Sequence, residues 1–317
     1  MDENSNRSSS EVNTALITCF DHVLLDGVSG INLMKQALGV QCALPNMKLS
    51  PPSGTIKERF LLWMKLPYDY LKLIESMRCQ RQFAVNPECP QGYTASVSAN
   101  IEVKLIKAIK THYGVSYAAV LNSVVIGALH EILLRNNIPV PEFLTSEYVV
   151  PSPDKHPETM INHFHALPVR WHMRSNSAEE RLYATHKKIN DISNSAAPIA
   201  FYWYQQLQAL LPAKLHVFMM SREDSGNLMN LSNFPVVDVH SNTNELRLCE
   251  MFVGHNPTPG SGICNLVAGI NGNQRFVTFV DRGFIPNYDF AANFQFSIQG
   301  ELARLEKTMK EYPAPSG

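Results

Sequence analysis

A helix that is apolar on nearly every side has one stable home, the middle of a packed molecule. Tyr117 to Leu129 is such a stretch, within a helix that Ser116 can cap and that runs to about Arg135. It is therefore predicted to be a buried central helix. Asn122 and Ser123 interrupt its apolar surface. A buried amide without partners costs roughly 1–3 kcal/mol, so Asn122 is either satisfied within the fold or lines a cavity.

The segments around this helix mix the two periodicities. Tyr93 to Asn100 alternates as a strand, and Glu102 to His112 reads as an amphipathic helix closed by Gly114. Thr145 to Val150 and His163 to Trp171 are predicted strands around a Pro-rich loop, and Leu246 to Val253 is a third. Ile263 to Ile270 and Arg275 to Asp281 are two more, joined by an Asn271-Gly272 hairpin turn. Ala178 to Ile192 is a Glu/Lys-laced surface helix. Phe290, Phe294, Ile298, Leu302, Leu305 and Met309 mark a long terminal helix packed on a sheet. The fold class is α/β, built as α+β layers. Pro198 to Met220 is helical and aromatic-rich (Phe201, Tyr202, Trp203, Tyr204). Such residues suit the apolar wall of a tunnel, and core packing accounts for them more simply.

The first third of the chain is less regular. Met1 to Thr14 is polar and is expected to be a flexible tail, neither signal peptide nor span. Ala15 to Phe20 reads as a buried strand and Val28 to Leu38 as an amphipathic helix. Pro45 to Gly54 breaks the chain. Ile56 to Met77 is read as two short helices parted at Pro67, a crossover on the core whose apolar and basic character also suits a membrane surface. Arg78 to Gln91 is a linker.

Composition excludes several classes. The 317 residues are 45% apolar, enough for a large core, and the net charge of −1 gives no basic surface for nucleic acid. Six cysteines show no C-x-x-C spacing and are read as reduced thiols in a cytosolic compartment. No run reaches the ~18 apolar residues of a span. His163 and His165 share a strand face, yet no third ligand stands nearby, so they are read as ordinary strand histidines and no metal is expected. Gly260-Ser261-Gly262 is not a G-x-S-x-G elbow.

The stretch with chemistry in it is Asp21-His22-Val23-Leu24-Leu25-Asp26-Gly27, between the apolar run and the first helix. A neutral imidazole is available near pH 7 to take a proton from a hydroxyl, so His22 is the candidate general base. Asp26, four residues on, is read as a structural anion bracing the loop, and Gly27 as the residue that lets the turn close tightly. A strand-end histidine with ordinary turn chemistry explains the same residues. Cys19, at strand spacing before His22, is expected to point into the core rather than to act as a nucleophile.

This H-x-x-x-D-G stretch resembles the signature of the CoA-dependent acyltransferase superfamily, most nearly that of the bifunctional wax ester synthase/diacylglycerol acyltransferase family. In that family two histidines precede the spacer and the second is catalytic; here Asp21 replaces the first and His22 keeps the second. The family's Asn-Asp motif corresponds to Asn122 followed by Ser123. Leu231-Ser232-Asn233-Phe234-Pro235 resembles its Ser-Asn-Val-Pro-Gly-Pro stretch without the final Gly-Pro, and the order from Gly260 to Asp281 is also the family's. The resemblance implies a chloramphenicol-acetyltransferase-like fold of two subdomains with a tunnel between them. Residues 15–50 would be the remnant of an incomplete N-terminal subdomain, 51–91 the crossover and 92–317 the C-terminal subdomain. The strands, helices and Pro-Leu-Trp motif that precede the signature in the family have only the polar tail as counterpart here.

The implied activity is transfer of a fatty acyl group from acyl-CoA, a co-substrate rather than a bound cofactor, to a long-chain alcohol or diacylglycerol. His22 would be catalytic, with Asp26, Gly27 and Asn122 supporting the site. A cytoplasmic enzyme touching the endoplasmic reticulum membrane peripherally is the implied setting. The competing expectation is a non-catalytic lipid- or CoA-binding remnant. A plant-type alcohol acyltransferase would carry a D-F-G-W-G motif, which this sequence lacks.

Overall fold

The computed structural model describes residues 14–42, 55–77, 92–157, 159–215, 229–241, 248–255, 261–284 and 289–312. The expectations for the tail before residue 14, the 45–54 break and the 78–91 linker fall outside them. The architecture is organised by one hairpin. β8 (Ile263–Ile270) is buried along its whole length, and β9 (Asn273–Asp281) pairs with it antiparallel from Ile263↔Val280 to Ile270↔Asn273. Asn271 (φ 53°) and Gly272 (φ 78°) make the connecting turn. Two left-handed residues in succession define a type I′ turn, whose twist matches the strands it joins.

The remaining strands extend this hairpin on both sides. β2 (Tyr93–Val97) lies antiparallel on β9, which also pairs the two-residue β3 (Ile101–Glu102). On the other side β6 (Met229–Asn233) runs parallel to β8, β4 (Phe143–Pro151) parallel to β6, and β5 (Phe164–His172) antiparallel to β4. Among the described residues the sheet has seven strands, in the order β2-β9-β8-β6-β4-β5 with β3 also on β9. A separate ribbon pairs β1 (Val40–Cys42) with β7 (Val239–Ser241).

The all-apolar helix occupies the interior. α5 (Tyr117–Arg135) is capped by Ser116, whose Oγ accepts from Ala119 N at 3.2 Å, and every residue from Ala119 to Leu129 is buried. It is the one described helix long and apolar enough to cross a bilayer, and here it packs against α6 (Ala178–Ser193) and α8 (Asp289–Glu311). Trp171, Phe276, Phe290 and Phe294 are fully buried around it. Gly127 is explained by a close approach: a Cβ there would stand 2.5 Å from Glu301 Cδ and 2.7 Å from Arg181 Nε. Those two residues form a buried ion pair at 3.4 Å between α6 and α8.

Near this pair, burial and then the Arg181 guanidinium hold the His130 imidazole below its usual value of 6.5. The native state therefore resists protonation there. Its contribution to stability is present above about pH 6.5 and is lost as pH falls below that value. Unfolding midpoints measured from pH 7.5 to 5.5 are expected to fall less steeply in His130→Gln than in the parent chain.

The helices before the sheet follow the punctuation of the sequence. α1 (Gly27–Leu38) ends at Gly39 (φ 62°) and α4 (Val103–Tyr113) at Gly114 (φ 65°). α2 (Ile56–Met64) and α3 (Leu66–Met77) part at Lys65, with Pro67 in the first turn of α3, where its missing N–H has no cost. α7 (Ala197–Ala209) packs on α3, with the Tyr70 and Tyr204 rings 5.1 Å apart.

Two expected strands are absent. Residues 15–20 are extended but make no ladder, and Leu16, Ile17 and Phe20 are exposed rather than buried. No strand neighbours them among the described residues, and an apolar run without a partner strand forms no sheet. Cys19 shares that exposure, so it does not point into a core. Residues 248–253 are likewise irregular.

Candidate active site

Asp26 is the fixed point of the site. It is 2% exposed and stands at the N-cap of α1, where its Oδ1 accepts from Ser29 N at 2.9 Å. An aspartate before a helix is the ordinary way to satisfy the first-turn amides and suits the positive helix end. The same carboxylate also reaches the loop between β4 and β5. Oδ2 accepts from His163 N at 2.8 Å and faces His156 Nε2 at 3.1 Å. A carboxylate only accepts, so Nε2 of His156 carries the hydrogen. Asp26 N donates to Ile161 O at 3.1 Å, and Ser29 Oγ lies 2.8 Å from Thr159 O. The turn 21–29 and the loop 156–163 are thus joined through one buried anion.

This brace presents His22 outward. The ring is exposed, with Asn162 Nδ2 at 3.2 Å from its Nδ1 and 3.1 Å from its main-chain oxygen. The His255 ring stands edge-on at 5.7 Å between centroids. Behind it lies Cys264 of β8, with Sγ 3.3 Å from His255 Nε2. Burial, with the Glu147 carboxylate adding to it, pushes the Cys264 thiol above its ordinary range. It stays protonated and offers no thiolate nucleophile. The exposed imidazole is the group of this turn that a solvent-borne hydroxyl can reach.

Gly27 does not serve the turn in the way its type suggests. It is the first residue of α1 and sits under the Phe234 ring: a Cβ would come within 2.6 Å of Phe234 Cε2. What the position requires is the absence of a side chain, not left-handed freedom. Gly27→Ala is expected to destabilise the chain by ~1–3 kcal/mol, as overpacking does, measured by chemical unfolding. Phe234 follows Asn233, whose Nδ2 donates to Asn122 Oδ1 at 2.8 Å. The end of β6 therefore links the His22 turn on one side to the centre of α5 on the other. Asn122 Nδ2, fully buried, has no hydrogen-bond partner among the described residues.

The two strand histidines do not share a ligand set. His163 precedes β5 and its Nε2 lies 3.2 Å from Asp154 O, whereas His165 faces Ser152 and Gln205. No group of three His, Cys, Asp or Glu is placed to hold a metal ion among the described residues. The residues that sequence reasoning passed over are His156, Asn162 and His255. The first two lie in the Pro-rich β4–β5 loop, where no periodicity marks them. Only their place more than 125 residues from the turn they serve gives them meaning.

Residues 161–299 match the family of WS/DGAT C-terminal domains. The matched range includes Asn162, His163, Asn233, Phe234, His255 and Cys264, while His22, Asp26, Gly27 and Asn122 precede it. The chain is similar in fold to the epimerization domain from the third module of tyrocidine synthetase B (11% identity, TM-score 0.51, covering 91% of this chain and 68% of that one). It is also similar to the condensation domain of the Monacolin K polyketide synthase MokA (12%, 0.50, 92% and 68%). A further solved structure is the wax ester synthase/diacylglycerol acyltransferase of Marinobacter aquaeolei VT8 (16%, 0.47, 89% and 65%). The layered α/β fold is thus shared with an epimerization domain and a condensation domain. The chain spans less than two thirds of the length of the Marinobacter enzyme. No curated protein sequence matches it.

Proposed function

We propose that the chain catalyses transfer of a fatty acyl group from acyl-CoA to a long-chain alcohol or diacylglycerol. The observation that supports this most is the exposed His22 ring, held at the α1 N-terminus by the buried Asp26 brace against a WS/DGAT C-terminal domain. His22 removes the proton from the acceptor hydroxyl, and the oxygen attacks the thioester carbonyl. The tetrahedral intermediate collapses with loss of the CoA thiolate, which takes the proton back from the imidazolium. No covalent enzyme intermediate and no bound cofactor enter the step. Asp26, Gly27 and Asn122 hold the turn and the end of β6 in register.

A cytoplasmic protein resting on the endoplasmic reticulum membrane surface suits both substrates. Phe60, Leu61, Trp63, Met64 and Leu71 are exposed on α2 and α3, with Lys57, Lys65 and Lys72 among them. Exposed apolar side chains with interspersed lysines favour a lipid surface.

The test supplies purified chain with palmitoyl-CoA and hexadecanol or diacylglycerol, beside His22→Ala. Ester that forms only with His22 present supports the enzyme. Acyl-CoA binding without turnover in either chain would replace the proposal with a non-catalytic lipid- or CoA-binding role.

A further inference from the structure

Asn162 meets His22 twice through a single atom. Its Nδ2 lies 3.1 Å from the main-chain oxygen of His22 and 3.2 Å from Nδ1 of the ring. A main-chain oxygen only accepts, so it decides which way the amide points: the NH2 group faces His22 and the Oδ1 faces away. The two amide hydrogens then serve the two acceptors. Nδ1 presents its lone pair to Asn162, and the single proton of the neutral imidazole resides on Nε2.

We propose that Asn162 is a positioning residue that sets the tautomer of His22, holding Nε2 protonated until its amide turns over. This rests on the reading of His22 as the base. With Nδ1 occupied by Asn162, the nitrogen left for an acceptor hydroxyl is Nε2, and a nitrogen that already carries hydrogen cannot accept another. Rotation of the amide by half a turn places Oδ1 against Nδ1. The ring proton moves to Nδ1, Nε2 gains the lone pair, and the His22 main-chain oxygen passes to solvent. Both groups are exposed, so the rotation disturbs no packed side chain. Among the described residues the titratable groups beside the ring are His255, edge-on at 5.7 Å, and the neighbouring Asp21, whose carboxylate accepts from Val23 N at 3.0 Å.

The test is ring-15N spectroscopy of histidine-labelled chain above pH 8, with the His22 signals assigned by their loss in His22→Ala. In the parent chain Nδ1 is expected at the shift of an unprotonated nitrogen and Nε2 at that of a protonated one. In Asn162→Asp the carboxylate can only accept, so the two shifts exchange. In Asn162→Ala the ring relaxes to the mixture set by water. Because Asn162 is exposed, both variants are expected to keep the parent unfolding midpoint. A parent ring already protonated on Nδ1, or three superimposable spectra, would overturn the proposal. Failure of the base reading shows separately, as ester formation that survives in His22→Ala while the shifts still respond to residue 162.

Discussion

Replacing His22 with alanine is expected to lower ester formation by ~10²–10⁴-fold while leaving the unfolding midpoint unchanged. The two halves of that expectation come from the same geometry. The ring is exposed and touches Asn162 and His255 without entering a packed core, so its removal leaves no cavity and changes stability by less than about 0.5 kcal/mol. What disappears, on the proposed mechanism, is the side chain that takes the proton from the alcohol. Asp26 is committed to Ser29, His156 and His163, and Cys264 is held protonated by burial. Initial rates with palmitoyl-CoA and hexadecanol, set beside urea unfolding of both chains, check the pair of claims. A variant that keeps the parent rate would remove His22 from the chemistry whatever its position.

Much of the frame that carries His22 could be read from residue order, because the signals were local. An apolar surface on all sides of Tyr117–Leu129 calls for burial, which α5 finds in the interior, and Asn271-Gly272 between two apolar runs permits little besides a tight hairpin. Ser116, Gly114 and Pro67 mark helix ends through their own backbone chemistry. Local signals fail where the outcome depends on a distant partner. Residues 15–20 have the composition of a buried strand, but a strand is made by its neighbour, and none is present among the described residues. Gly27 is the instructive case within the site. Its type suggests a turn, whereas its position answers to a phenylalanine ring more than 200 residues away.

The same distinction separates the parts of the site. His22 and Asp26 stand out because a histidine and an aspartate four residues apart, followed by glycine, are an uncommon local pattern. Asn162 and His156 do not, since a Pro-rich loop offers no period against which a residue can be placed. Asn122 lies between: its burial was legible from the helix around it, but its partner Asn233 comes from the far end of a parallel strand. Parallel strands are joined by long crossovers, so their pairings are the hardest to see in a sequence.

Asp26→Ala is expected to be the most destabilising single change at the site, by ~3–5 kcal/mol, and to abolish activity through loss of the turn rather than of chemistry. The carboxylate is 2% exposed and serves three donors from two segments: Ser29 N at 2.9 Å, His163 N at 2.8 Å and His156 Nε2 at 3.1 Å. Losing the cap costs about 1 kcal/mol, and each buried donor left without an acceptor adds roughly 1–3 kcal/mol, less than additively because the donors relax together. Against a total stability of ~5–15 kcal/mol for an ordinary domain, such a loss is large. Asn serves as the control. Asp26→Asn keeps one oxygen for the helix cap but turns an NH2 toward His163 N or His156 Nε2, so it should fall between the parent and alanine. The order parent, asparagine, alanine in urea midpoint, matched by the same order in ester formation, would establish Asp26 as the brace. An alanine variant that unfolds at the parent midpoint would show that the turn and the β4–β5 loop are held together by something else.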